Sequence, residues 1–395
     1  MSVEFAHKIR RIPVYPVAAG YDLGAGVAML ASNESAFAPM PEVVEAATRA
    51  LAGAHRYPDP SYAPLRRALA ERYGVPADRI ALGNGSCDIL LAAGDALLES
   101  GAEVVYAWPA FSVYPHLAAA SGARAIQVPL DADERHDLDA LAAEVTVATR
   151  LVLVCNPNNP TSTAVELEQV QALLQAVPRY VCVILDEAYC EFSLTLGDPQ
   201  ASVELLHRWP NLMILRTFSK VYGLAALRCG YALCGSEALR VAIDQVRQPF
   251  YLNAAAQAAA VEALRHQDEV ERRVVQTIAA RSELVDRLRS LGLWVAESDA
   301  NFVWVRLPGG GGTGGGGTGG GGSTGGGGSG SGGTGGETDA EIRGREAEVV
   351  TGLRERGVLV RAGSALGGPG AMRVTVGTPE ENERFVSALA ALVAG

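Results

Sequence analysis

Lys220 closes the stretch LRTFSK, and lysine is scarce in this chain. Of 33 Lys and Arg residues, only Lys8 and Lys220 are lysines. Arginine serves wherever a surface merely needs a positive charge. A lysine kept just past an apolar run therefore points to chemistry that arginine cannot do, the condensation of an amine with a carbonyl to a Schiff base. Arg228, eight residues on, has the forked guanidinium that grips a phosphate. In VILDEAYCEF, Asp186 ends an apolar run, and a carboxylate buried there needs a partner. In ALGNGSCDILL a strand ends, Gly83 and Gly85 allow a tight turn, and a helix starts near Ser86. The exposed N–H groups of such a helix start suit an anion. Taken singly, these features equally fit a surface lysine, a helix cap or structural ion pair, and a capped glycine turn.

Their coincidence is more specific. A phosphate cup, a buried acid and a Schiff-base lysine match the phosphate, ring nitrogen and aldehyde of pyridoxal phosphate. The elements that must hold them alternate. Strand-like runs are RIAL near 80, EVVYA near 104, LVLVC at 151–155, VCVILD at 181–186, LMILRT at 212–217 and CGYALC at 229–234. Helical patterns such as CDILLAAGDALLES and ELEQVQALLQAV lie between several of them. Fully apolar strands alternating with helices predict an α/β sheet covered on both faces, with ligands at the carboxyl ends of its strands. From about 240 a long helical region follows, then two short strands in WVAESDANFVWVRL, the strand MRVTVG and the helix EENERFVSALAALVA. This predicts a smaller α+β domain completed by the N-terminal segment. The expected division is 1–45 joining the small domain, 46–250 as the large cofactor-binding domain, and 251–395 as interdomain helix and small domain. Residues 309–336 are almost pure Gly with Thr and Ser, read as a disordered insertion in a small-domain loop.

A length of 395 residues with 48% hydrophobic and 19% charged composition describes a soluble globular protein with a substantial core. The formal net charge of −11 argues against nucleic acid or an anionic membrane as partner. No run approaches about 18 uninterrupted apolar residues, and the N-terminus lacks the apolar core of a secretory signal. The six cysteines form no C-x-x-C pair and sit mostly in strand-like runs. They read as buried reduced thiols with no metal site, and a cytoplasmic location follows as the expectation.

At this point the chain resembles the pyridoxal-phosphate aminotransferases of fold type I, and among them the histidinol-phosphate aminotransferases. The likeness rests on LASNES (30–35), RYPDPSYAPLRRALAERYGV (56–75), LGNGS (82–86), CNPNNPTS (155–162), DEAYCEF (186–192), RTFSKVYGLAALRCGY (216–231), VRQPF (246–250), ANF (300–302) and MRVTVGTPEEN (372–382). It implies a large domain with a mixed, mostly parallel seven-stranded sheet between helices. Lys220 is then the Schiff-base residue, Asp186 the partner of the ring nitrogen, and Asn159 and Tyr189 the donors to the ring oxygen. Gly85, Ser86, Cys87, Thr217, Ser219 and Arg228 would hold the phosphate, and Phe111 would cover the ring. Tyr57 would reach the phosphate of a neighbouring subunit, making a homodimer with shared sites. Arg373 would bind the substrate's anionic group, with Asn33 and Arg361 as further contacts. Cys87, Phe111, Ser162, Ala226 and the pair Ser35-Ala36 depart from the usual pattern, where an acid, Tyr, Gly, Gly and an Asn-Pro or Tyr-Pro pair are common.

The implied reaction is a ping-pong exchange between L-histidinol phosphate and 2-oxoglutarate, giving imidazole-acetol phosphate and L-glutamate, in histidine biosynthesis. Phenylalanine or tyrosine transamination is the alternative, and decarboxylation of threonine phosphate on the same fold a more distant one.

Overall fold

Runs of Val, Leu, Ile and Cys buried on both faces build the centre of the molecule. The computed structural model describes residues 3–12, 26–308 and 338–393. The Gly-rich run expected as a loop insertion lies outside them. In chain order the strands are β1 (Ala28–Met29), β2 (Ile80–Gly83), β3 (Glu103–Trp108), β4 (Arg124–Pro129), β5 (Thr149–Cys155), β6 (Cys182–Asp186), β7 (Leu212–Thr217) and β8 (Gly230–Cys234). They continue with β9 (Trp294–Val295), β10 (Phe302–Arg306), β11 (Val358–Leu359), β12 (Arg361–Ala362) and β13 (Ala371–Thr375).

Seven of them form one sheet in the order β2-β8-β7-β6-β5-β3-β4. All its pairings are parallel except the two made by β8. This is the fold type I architecture, with an apolar cluster on each face of the sheet. The six strand runs read from the large-domain sequence each form a strand. β4 was not among them, because it is an edge strand whose residues are mostly exposed, so no apolar run marks it.

Parallel neighbours end on the same edge of a sheet. Cys155 at the end of β5 pairs with Asp186 at the end of β6, and Asp186 pairs with Leu215 near the end of β7. The reversed β8 begins at that edge, so Gly230 stands between Thr217 of β7 and Gly83 of β2. A Cβ at Gly230 would collide with the Ser86 amide nitrogen and the Gly85 backbone. Glycine is what lets the turn before the helix Ser86–Leu97 close onto β8.

A second sheet, β12-β13-β10-β9, packs with its own apolar cluster around Leu288, Val303, Val305, Phe385 and Leu389. Residues 28–33 run beside it: β1 pairs parallel with β11 in a separate two-stranded sheet, and the Asn33 N–H donates to Thr375 Oγ1 of β13 at 2.9 Å.

The turn before β10 locks the two sheets together. The buried Asp299 carboxylate accepts four hydrogen bonds, from the Ser193 hydroxyl (2.9 Å), the Leu194 and Thr195 amides (2.6 and 3.0 Å) and the Thr195 hydroxyl (2.8 Å). Beside it, Ser162 stands where glycine is common and takes φ +65°, the left-handed region that favours glycine. Its Oγ accepts from the Ala300 amide at 3.0 Å and donates to Phe302 O at 2.9 Å. These bonds offset the strain of that backbone. Among the described residues no helix is long and apolar enough to cross a membrane.

Removing Asp299 takes the acceptor from four donors, the buried Ser193 hydroxyl among them. Asp299→Ala is expected to lower the free energy of unfolding by about 2–4 kcal/mol in urea titration. A change below about 0.5 kcal/mol, the range of ordinary surface substitutions, would contradict the fastening role.

Candidate active site

The strand ends and the second sheet surround a cavity of about 380 Å³. Thirteen of the fifteen residues singled out from sequence line it: Asn33, Ser86, Cys87, Phe111, Asn159, Asp186, Tyr189, Thr217, Ser219, Lys220, Arg228, Arg361 and Arg373. Gly85 lies immediately outside, as the residue that caps the helix Ser86–Leu97 with φ +79°. A Cβ there would run into the Arg228 guanidinium, so glycine permits that close approach. Tyr57 is elsewhere, 81% exposed and stacked on Phe250 with ring centroids 4.6 Å apart.

One end of the cavity is a cup of donors. No side chain caps the helix start at Ser86, so its first amides keep their hydrogen-bonding capacity. Thr217 Oγ1 donates to Ser219 Oγ at 2.9 Å, and Arg228 Nη1 donates to Ser219 Oγ at 3.4 Å and to Ala225 O at 2.8 Å. Arg228 takes φ +58° just ahead of β8, which turns its side chain back to the cup. Burial pushes the Cys87 thiol up to about 11, so it stays protonated at neutral pH and adds no charge. Ala226, the other departure in this region, is exposed in the short helical turn Ala225–Leu227.

The middle carries the acid and the amine. Asp186 is buried, its Oδ2 accepts from the Tyr114 hydroxyl at 3.2 Å, and its Oδ1 has no hydrogen-bond partner. Burial raises this carboxyl to about 7, against the opposing pull of the Tyr114 hydrogen bond. Lys220 Nζ donates to Asn33 O at 2.9 Å and Ser32 O at 3.3 Å. Burial, with the Arg373 charge added, lowers its amine to about 7. The Tyr189 hydroxyl accepts from Asn33 Nδ2 (3.1 Å) and Asn159 Nδ2 (3.4 Å), which leaves its own proton to donate elsewhere.

The far wall belongs to the second sheet. Arg361 on β12 and Arg373 on β13 are directly opposite each other. Directly paired residues point to the same face, and like charges so placed repel. Arg373 is held by Asn159 Oδ1 (2.5 Å) and Ala31 O (2.6 Å). Tyr114 and Glu34 were not anticipated. The rings of Phe111 and Tyr114, three residues apart, meet edge to face at 5.9 Å, and that spacing is the signal that could have drawn Tyr114 in. Glu34 lines the cavity, and its charge favours the protonated Lys220 amine; its position in LASNES gives no sign of this.

Residues 25–389 match the family of aminotransferase class I and II. The chain belongs to this family. It is an aminotransferase, and its cofactor is pyridoxal phosphate. It is similar to an aromatic amino acid aminotransferase of Thermobifida fusca, 48% identical over 282 residues that cover 71% of this chain and 77% of that protein. It is also similar to histidinol-phosphate aminotransferase 1 of Cupriavidus pinatubonensis, 41% identical over 380 residues, 95% of this chain and 91% of that protein. The crystal structure of histidinol-phosphate aminotransferase from Sinorhizobium meliloti in complex with pyridoxal-5'-phosphate superposes with a TM-score of 0.82 at 28% identity. That superposition covers 100% of this chain and 98% of the other.

The residues of this aminotransferase fit the cofactor. The unpartnered Asp186 Oδ1 suits a ring N–H, the open helix start with Arg228 suits a phosphate, and an amine near neutrality suits an aldehyde. Both titrations run the same way: raising pH through about 7 frees the Lys220 amine and ionises Asp186. The rate at which cofactor-free protein takes up pyridoxal phosphate, followed by absorbance, is expected to rise steeply between pH 6 and about 8, the interval around those two values. A flat profile across that window would contradict the assignment.

Proposed function

We propose that this aminotransferase takes phenylalanine and tyrosine as amino donors and 2-oxoglutarate as acceptor. The observation that carries the reading is the opposed pair Arg361 and Arg373, which lines the same cavity as the apolar side chain of Leu366. Two cations held side by side are relieved by an anion, and the donor's carboxylate and both carboxylates of 2-oxoglutarate are such anions. An apolar wall nearby suits an aromatic ring. The relative of that name at 48% identity supports the choice. Histidinol phosphate is the second reading. The 41% identical relative spans 95% of this chain, and the same arginine pair would suit a phosphate.

Pyridoxal phosphate, when bound, supplies an aldehyde to receive the amino group and a ring that draws electrons from the reacting carbon. Ser86, Cys87, Gly85, Thr217, Ser219 and Arg228 hold its phosphate, the Cys87 contribution coming from the backbone. Asp186 pairs with the ring nitrogen and keeps it protonated, and Tyr114 fixes the orientation of that carboxylate. Asn159 and Tyr189 donate to the ring oxygen, and Phe111 covers one ring face. The Lys220 Nζ removes the proton from the substrate carbon that bears the amino group, acting as general base at neutral pH because burial has already lowered its affinity for a proton. Arg361, Arg373 and Asn33 orient the substrate so that this bond faces the amine. Residues 46–250 act as the cofactor-binding unit, and the second sheet carries the substrate arginines.

The functional unit is a homodimer. Tyr57 and Phe250 form an exposed aromatic stack away from their own cavity, which suits a Tyr57 that completes the partner's phosphate site.

Steady-state turnover with 2-oxoglutarate is the test. Phenylalanine is expected to exceed histidinol phosphate in kcat/KM by at least about tenfold, a difference of one well-placed contact. The reverse order would overturn the aromatic reading in favour of the second.

A further inference from the structure

The motif VRQPF contributes no residue to the cavity, yet its Arg247 is almost wholly buried, with 4% of the side chain exposed. Taking a guanidinium out of water is unfavourable unless an opposite charge faces it. The charge that faces it is Asp88, whose Oδ2 lies 3.6 Å from Nη2. The Tyr251 ring flanks the guanidinium, its centroid 4.7 Å from Cζ.

Asp88 occupies the first turn of the helix Ser86–Leu97, the helix whose opening amides form the phosphate cup. Its Oδ2 also accepts the Asn84 N–H at 3.0 Å, which shapes the turn that leads into the cup. The acid is therefore useful to the backbone but badly placed electrostatically. Two anions beside one helix N-terminus compete for the same positive field. Burial and the Asp186 charge do most to oppose ionisation of the Cys87 thiol in the cup; the Asp88 charge adds to them, while Arg228 and Lys220 favour it. Arg247 lies behind the turn, close enough that a Cβ on Gly83 would sit 3.1 Å from Nη2.

We propose that Arg247 is a positioning residue for the cofactor's phosphate: it neutralises Asp88, so that Asp88 can hold the turn while the cup stays cationic. This rests on the reading that the cup takes that phosphate. Arg247 touches neither cofactor nor substrate and acts through Asp88.

The test titrates cofactor-free protein with pyridoxal phosphate and, separately, with pyridoxal, which lacks the phosphate, following binding by absorbance. Arg247→Met is expected to weaken pyridoxal phosphate binding about tenfold, the effect of one uncompensated charge near the phosphate, and to leave pyridoxal binding unchanged. Arg247→Lys keeps the charge and should bind like the wild type. Adding Asp88→Asn to Arg247→Met should restore most of the lost affinity, since Asn still accepts from Asn84. Should Arg247→Met not fold, Asp88→Asn alone decides, because it should tighten pyridoxal phosphate relative to pyridoxal, and loosening would overturn the proposal. Equal weakening of both ligands, or no rescue by Asp88→Asn, makes Arg247 a packing residue and overturns it too. A wild type that binds both ligands alike removes the cup reading itself, whereas a wild type that prefers pyridoxal phosphate beside an unaffected Arg247→Met removes only this inference.

Discussion

An ammonium ion taken out of water favours losing its proton, and Lys220 lies where burial and the Arg373 charge both push that way. The free amine is then available near neutral pH, held by the carbonyl oxygens of Ser32 and Asn33 rather than by a carboxylate. Those acceptors matter. A carboxylate in ion pair with Nζ would stabilise the ammonium form and remove the nucleophile, while neutral carbonyls orient the amine with far less effect on its charge. The rest of the site is arranged around keeping this amine dry, oriented and close to the groups it serves.

That arrangement follows from the sheet. Three adjacent parallel strands, β5, β6 and β7, deliver Asn159, Asp186 and Lys220 to one edge. The reversed β8 brings Arg228 to the same edge from the other direction. The second sheet then closes the cavity, and its fastening is polar: Asp299 with the loop after Tyr189, Ser162 with the turn before β10, and Arg373 with Asn159. The first two tie segments that carry Tyr189 and Asn159 to the turn before β10, the neighbour of β13, and the third joins two site residues directly. A shift of the small sheet would therefore move Arg361 and Arg373 and disturb Asn159 with them.

What was legible in the sequence is what depends on local pattern. Apolar runs ending in Asp186 or leading to Lys220 mark strand ends, and a glycine turn before Ser86 marks a helix start; all three stand where that pattern puts them. The features that escaped depend on contacts between distant segments. Tyr114 meets Asp186 across 72 positions of chain, and Arg247 meets Asp88 from a motif with no visible chemistry. The side-by-side placement of Arg361 and Arg373 follows from strand register, which residue types alone do not dictate. β4 shows the same limit in the fold, since an exposed edge strand carries no apolar run to announce it.

The claim that Lys220 is the amine on which the chemistry turns has a direct measurement, aided by the chain holding only two lysines. Protein loaded with pyridoxal phosphate is treated with borohydride, which makes the amine–cofactor link permanent, then digested and mapped by mass spectrometry. The cofactor mass is expected on the peptide containing Lys220 and absent from the one containing Lys8. Label on Lys8 with none on Lys220, or no covalent label at all on protein that has taken up the cofactor, would contradict the assignment.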